Sequence, residues 1–209
     1  MNPVELSSAS AVSTSTPSTT VVRPVSGILT FVIADLVVFA MLFTGFMVDR
    51  SAKVTLFDRS ASTLDFHLGL LNLLILVTSG ICVVFAVTAA REGRIAVVRN
   101  WILAAIVIGA GFGVSKVVEY ADKFAAGITM QTNEFYMYYF ALTGAHFLHF
   151  LGGMAALAFV AFRSTRAASD RGFAGKVEAV GLYWHMVDLL WVLIFPLLYL
   201  LGAGGVACP

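Results

Sequence analysis

Charge is scarce in this chain of 209 residues: Asp, Glu, Lys and Arg make up only 12% of it, against 59% hydrophobic residues and a mean hydropathy of +0.91. An ordinary soluble domain has about a quarter of its residues charged, so the chain lacks the polar surface that a water-facing globule needs. Basic residues outnumber acidic ones by only one, 13 against 12, which excludes the positively charged face that nucleic acid requires. Cysteine is nearly absent. Cys82 and Cys208 cannot staple a small secreted fold and show no metal-ligand spacing. Four histidines and no Glu-x-x-His pair leave too few ligands for a di-iron centre built from histidine boxes or bridging carboxylates.

What the chain has instead is long apolar runs. Residues 1–25 come first and differ from the rest, since Ser and Thr dominate from Ser7 to Thr20. Such a segment cannot bury enough apolar area to offset its ordering entropy and is expected to be a disordered tail. Arg23 is its one basic residue, too few for a transit peptide, and the apolar stretch that follows is too long for the core of a signal peptide. Five segments follow, at about 26–48, 68–90, 101–120, 135–162 and 177–201. Each has the roughly 20 residues that a helix needs to cross about 30 Å of hydrocarbon. Lipid satisfies no backbone polar group, so the spans must be helices or a closed barrel, and the alternation of barrel strands is missing. The expected fold is all-α, an integral membrane bundle of five transmembrane helices over residues 26–209.

Basic residues orient such a bundle. Arg23, Arg91, Arg94, Arg99, Arg163, Arg166, Arg171 and Lys176 fall on one side, and Arg50, Lys53, Arg59, Lys116 and Lys123 on the other. The asymmetry predicts a cytoplasmic N-terminus and an outside C-terminus. Gly109 and Gly113, and Gly152 and Ala156, recur at four-residue spacing and predict close approach of helix backbones. Two matching halves are not visible, which disfavours a small proton-coupled transporter built from inverted repeats around Asp35 and Asp188.

Ionisable groups at membrane depth are costly and face a bundle interior, a cavity or a partner. Asp35 lies near the middle of the first span, His146 and His149 in the fourth, and His185 and Asp188 in the last. Glu178 opens that last span, and Lys116 and Glu119 end the third. Burial disfavours the charged form of a lone carboxylate, so Asp35 is either a proton-exchanging group or a neutral acid donating one hydrogen bond. His185 and Asp188, three apart, are within reach of each other; the pair suits a proton relay, a metal ligand with its orienting carboxylate, or a clamp between helices. Trp184 and Trp191 read as packing. His149 and His185 together have the ligand chemistry of a b-type haem held between helices, which would make the chain a haem or quinone-binding anchor.

The run Tyr183-Trp184-His185-Met186-Val187-Asp188-Leu189-Leu190-Trp191, continuing through Phe195-Pro196-Leu197-Leu198-Tyr199, resembles the signature of the haem-copper oxidase subunit III (cytochrome c oxidase subunit 3) family. Thr143-Gly144-Ala145-His146-Phe147-Leu148-His149 is similar to that family's Thr-Gly-x-His-x-x-His segment. Asn72-Leu73-Leu74-Ile75-Leu76-Val77-Thr78-Ser79 is similar to its Asn-Thr-Leu-Leu-Leu-x-x-Ser run, with Leu73 in place of the usual Thr. The resemblance covers about residues 26–201, and five spans fit the short bacterial form. It implies a non-catalytic subunit of the bacterial inner (plasma) membrane that binds no metal itself. Such a subunit packs beside subunit I, which holds haem and copper, and beside other oxidase subunits; it binds phospholipid and supports proton uptake. Asp35 stands where the family usually has a reactive Glu, one methylene longer. Met186, Leu189 and Leu190 also resemble the subfamily associated with nitric oxide reductase, in which the chain would again be a partner and not the catalyst.

Overall fold

The computed structural model describes residues 23–165 and 172–200. Residues 1–22 of the expected tail, Arg166, Arg171 and Cys208 lie outside the described residues. The first helix, α1 (Arg23–Ala52), starts three residues inside the expected tail. It is followed by a short amphipathic α2 (Val54–Ala61), then α3 (Phe66–Arg91), α4 (Ile95–Ala125), α5 (Glu134–Ser164) and α6 (Phe173–Phe195), which runs on into a π-helical turn at Pro196–Leu200. Among the described residues there is no strand. Five of these helices have the length and apolarity of membrane spans. The all-α bundle of five transmembrane helices is therefore what the sequence predicts, with α2 as an addition: its eight residues are too few to cross a bilayer, and it buries Phe57 while Val54 stays exposed.

Side-chain caps set two of the starts. Asp65 accepts from the backbone N–H groups of His67 and Leu68, and Asn133 accepts from that of Tyr136, so each helix has partners for N–H groups that its own turns leave open. Gly93 (φ 72°) and Gly127 (φ 74°) turn the chain between α3 and α4 and between α4 and α5 in a left-handed conformation that glycine adopts without strain. Charged pairs tie the ends together outside the apolar core. Arg91 meets Glu178 at 2.7 Å, Arg50 meets Asp58 at 2.9 Å, and Lys53 pairs with Glu134. The Glu134 carboxylate raises the Lys53 ammonium above its ordinary pKa.

Helix α6 is the hub. It packs on α1, α3 and α5, and its wholly buried Trp184 reaches Gly109 of α4 as well. α3 and α4 form the most intimate pair, joined across their interface by Ser79 Oγ donating to the Ala105 carbonyl at 2.9 Å. The small-residue positions work differently from the expected backbone-to-backbone contact. Gly109 and Gly153 sit against the Trp184 ring, Gly113 against Phe150, and Gly152 against Tyr183, so the missing side chains make room for rings. Trp184 and Trp191 are both fully buried.

A Cβ on Gly153 would lie 2.8 Å from Trp184 Cε3. Gly153→Ala is expected to cost about 1–3 kcal/mol, as overpacking does, and to lower the thermal unfolding midpoint in mild detergent. Gly175→Ala, whose new methyl meets nothing within 4 Å, should leave that midpoint in place.

Candidate functional site

Four sets of polar side chains lie within the spans. The most enclosed was not foreseen as a site. Lys116 is fully buried and Glu119 nearly so, and they form an i,i+3 ion pair at 2.8 Å on α4. Tyr139 of α5 donates to Glu119 Oε1 at 2.5 Å, and Tyr199 of the π turn donates to the same oxygen at 2.8 Å. Lys116 Nζ also donates to the Tyr199 hydroxyl at 3.1 Å and lies 4.6 Å from the centroid of Trp191. A charge pair buried this deeply is tolerable only when its remaining donors and acceptors are met, and here two tyrosines and an indole face meet them. Lys116, counted with the connection for the charge bias though near the end of the third span, lies within its helix: α4 continues to Ala125 and holds the side chain inside the bundle. Glu119, beyond its partners, borders a cavity of about 390 Å³ that Thr63, Asp65, Ser115 and Asp122 also line.

Asp35 is not the lone carboxylate that its sequence context suggested. His149 Nε2 of α5 comes within 3.0 Å of Asp35 Oδ2, an approach too far from linear to be a formed hydrogen bond. The other ring nitrogen, Nδ1, lies 2.8 Å from the Ala145 carbonyl. A carbonyl only accepts, so Nδ1 carries a proton. Nε2 then turns toward the acid oxygen without a formed hydrogen bond. Phe31 and Phe39 of α1 flank the ring, with centroids 6.5 and 5.8 Å away.

His146, three residues earlier, turns to a different helix: it is fully buried, its Nε2 is 3.0 Å from the Val187 carbonyl, and its ring contacts Phe112 and Trp191. His185 and Asp188 meet as their spacing predicts, though at 3.6 Å, longer than a hydrogen bond. Asp188 rests on Gly80 of α3, where an added Cβ would come within 2.2 Å of Oδ2. Glu178 is engaged with Arg91 at the bundle end, away from these groups.

The structure separates residues that the sequence allowed to converge. His149 faces α1, its Nδ1 bonded to the Ala145 carbonyl and its Nε2 turned to Asp35, while His185 leans to α3. Haem ligation needs two imidazole lone pairs aimed at one space, and these do not provide it. Asp35 and Asp188 likewise address different helices. Among the described residues, no three His, Cys, Asp or Glu side chains gather as a metal-binding group.

Comparison with known proteins decides the family. Residues 12–203 match cytochrome c oxidase subunit III. The chain belongs to this family. It is 30% identical over 175 residues to cytochrome c oxidase subunit 3 of Corynebacterium diphtheriae, covering 83% of this chain and 85% of that one. It is 28% identical over 181 residues to quinol oxidase subunit 3 of Bacillus subtilis, covering 86% and 87%. With cytochrome c oxidase subunit 3 of Synechocystis it shares 30% identity over 176 residues, covering 84% and 74%. As a subunit III, the chain is a non-catalytic membrane component of a haem-copper oxidase, associated with other oxidase subunits.

Removing one member of the buried α4 ion pair should cost more than removing both. Lys116→Met and Glu119→Gln are each expected to lose about 3–5 kcal/mol, because each leaves an uncompensated buried partner. The double variant should unfold closer to the parent in a thermal scan in detergent. Single variants as stable as the parent would show that the pair is not held as described.

Proposed function

We propose that this subunit III sustains proton supply to the oxidase through the Asp35–His149 pair. The observation that carries the proposal is the imidazole held between a carbonyl and a carboxyl oxygen 3.0 Å away. That arrangement sets an acid and an imidazole within reach of each other at the junction of α1 and α5, where a proton can pass between them. Asp35 replaces a longer acid in the family signature, and His149 reaches across to make the contact. The remaining groups, His146, Glu178, His185 and Asp188, position helices.

The immediate partner in this reading is subunit I, which holds haem and copper. Phospholipid is a second partner: between α4 and α5 lies an open recess of about 440 Å³, lined by Gly113, Val114, Phe147, Phe150 and Met154 and lacking polar wall, which suits an acyl chain. The chain sits in the bacterial plasma membrane with its N-terminus in the cytoplasm and its C-terminus outside. Taking Lys116 out of the outer connections supports that orientation, since it leaves four basic residues there against eight.

Asp35→Asn keeps the shape and removes the titrating oxygen. In the purified oxidase it is expected to slow proton uptake or shorten the number of turnovers before inactivation, with the other subunits still present. Unchanged uptake and unchanged turnover lifetime would remove the proton role and leave membership of the complex untouched. Orientation is checked separately: a phosphatase that works only outside the cell should be active when fused after Leu200 and inactive when placed in the α3–α4 connection.

A further inference from the structure

One face of α6 remains open. Contacts of this helix with α1 and with α3 leave a stripe between them that carries His185, Leu189, Val192 and Leu193. α1 and α3 themselves barely touch, so the stripe is the floor of a groove that they wall on either side. Leu189, Val192 and Leu193 are 47%, 40% and 44% exposed, and the His185 side chain is 42% exposed. Exposed leucines in a membrane helix face lipid at no cost. An exposed imidazole does not.

Depth makes this decisive. His185 follows Phe173 by 12 residues and precedes Leu200 by 15 in a span of 28, which at 1.5 Å per residue places it about 18 Å and about 22 Å from the two ends. With the overhang beyond about 30 Å of hydrocarbon shared between the ends, the nearer boundary of the apolar layer is roughly 12 Å away. A polar side chain at that depth needs a partner. Its own neighbour is insufficient: Asp188 Oδ2 stands 3.6 Å from Nδ1, beyond hydrogen-bond distance, and no group among the described residues bonds Nε2. Acyl chains supply neither donor nor acceptor, and lipid headgroups remain at the surface. A second copy packed about a two-fold axis would set like nitrogen against like, two donors or two acceptors.

We infer that the groove of α1, α6 and α3 receives a transmembrane helix of another oxidase subunit, and that this helix carries a hydroxyl or amide group that hydrogen-bonds His185 Nε2. The inference rests on the assignment as an oxidase subunit and names the surface that the assembly uses. Apolar contact with Leu189, Val192 and Leu193 fills the groove, and the single hydrogen bond fixes the depth of the incoming helix.

Photo-crosslinking in membranes of respiring cells tests this directly. A benzoylphenylalanine at Leu189 should form an adduct with an oxidase subunit identified by mass spectrometry. The same probe at Val107, 73% exposed on α4, should give lipid adducts only. Subunit adducts from position 107 and not 189, or adducts at 189 with lipid alone or with a second copy, would overturn it. His185→Leu should make the complex dissociate in detergent roughly three- to eighteen-fold more readily, the range expected for one interhelical hydrogen bond, while His185→Gln, which keeps both a donor and an acceptor, retains association. Equal retention by both would remove the hydrogen bond. A parent chain that brings down no haem-bearing subunit would instead refute the assembly reading itself.

Discussion

Lipid solvates no charge, so the ionisable side chains that the spans carry must find partners within the bundle, in a cavity or on another subunit. This constraint assigns the helices their neighbours. Asp35 and His149 bind α1 to α5, His146 and the Val187 carbonyl bind α5 to α6, Asp188 seats α6 in the notch left by Gly80 of α3, and the Lys116–Glu119 pair draws the terminal π turn and α5 onto α4. Apolar packing fills the space between these joints. It does not choose them, because lipid tails are as apolar as the leucines they would displace.

Glycine complements this polar selection. Trp184 is, with Trp191, the bulkiest fully buried side chain among the described residues, and it reaches α4 and α5 only because Gly109 and Gly153 leave room for the indole. Small residues and rings thereby act as a second code of pairing, independent of charge. The two codes converge on α6, which is why the stretch from Tyr183 to Tyr199 carries so much of the family resemblance.

The architecture was legible because the solvent left so little choice: five apolar runs of sufficient length, with no strand alternation, have one solution. The His185–Asp188 contact was legible from helical spacing alone. Asp35 with His149 was not, since the pairing crosses 114 residues of chain and periodicity within one helix says nothing of which helix lies opposite. Lys116 entered the charge count as part of a connection because a charged residue near the end of an apolar run looks like the start of a loop. The available signal was its i,i+3 acid, Glu119, followed by Tyr120: a pair that satisfies itself along the helix can stay inside it. α2 was hidden by its eight-residue length.

The distance in sequence between Lys116 and Tyr199 sets what a shortened chain loses. Tyr199 follows Lys116 by 83 residues, so a chain cut before Pro196 keeps the α4 ion pair and Tyr139 but loses the hydroxyl that bridges Lys116 and Glu119. The π-helical turn thus completes the solvation of a charge pair set into α4 much earlier in the sequence.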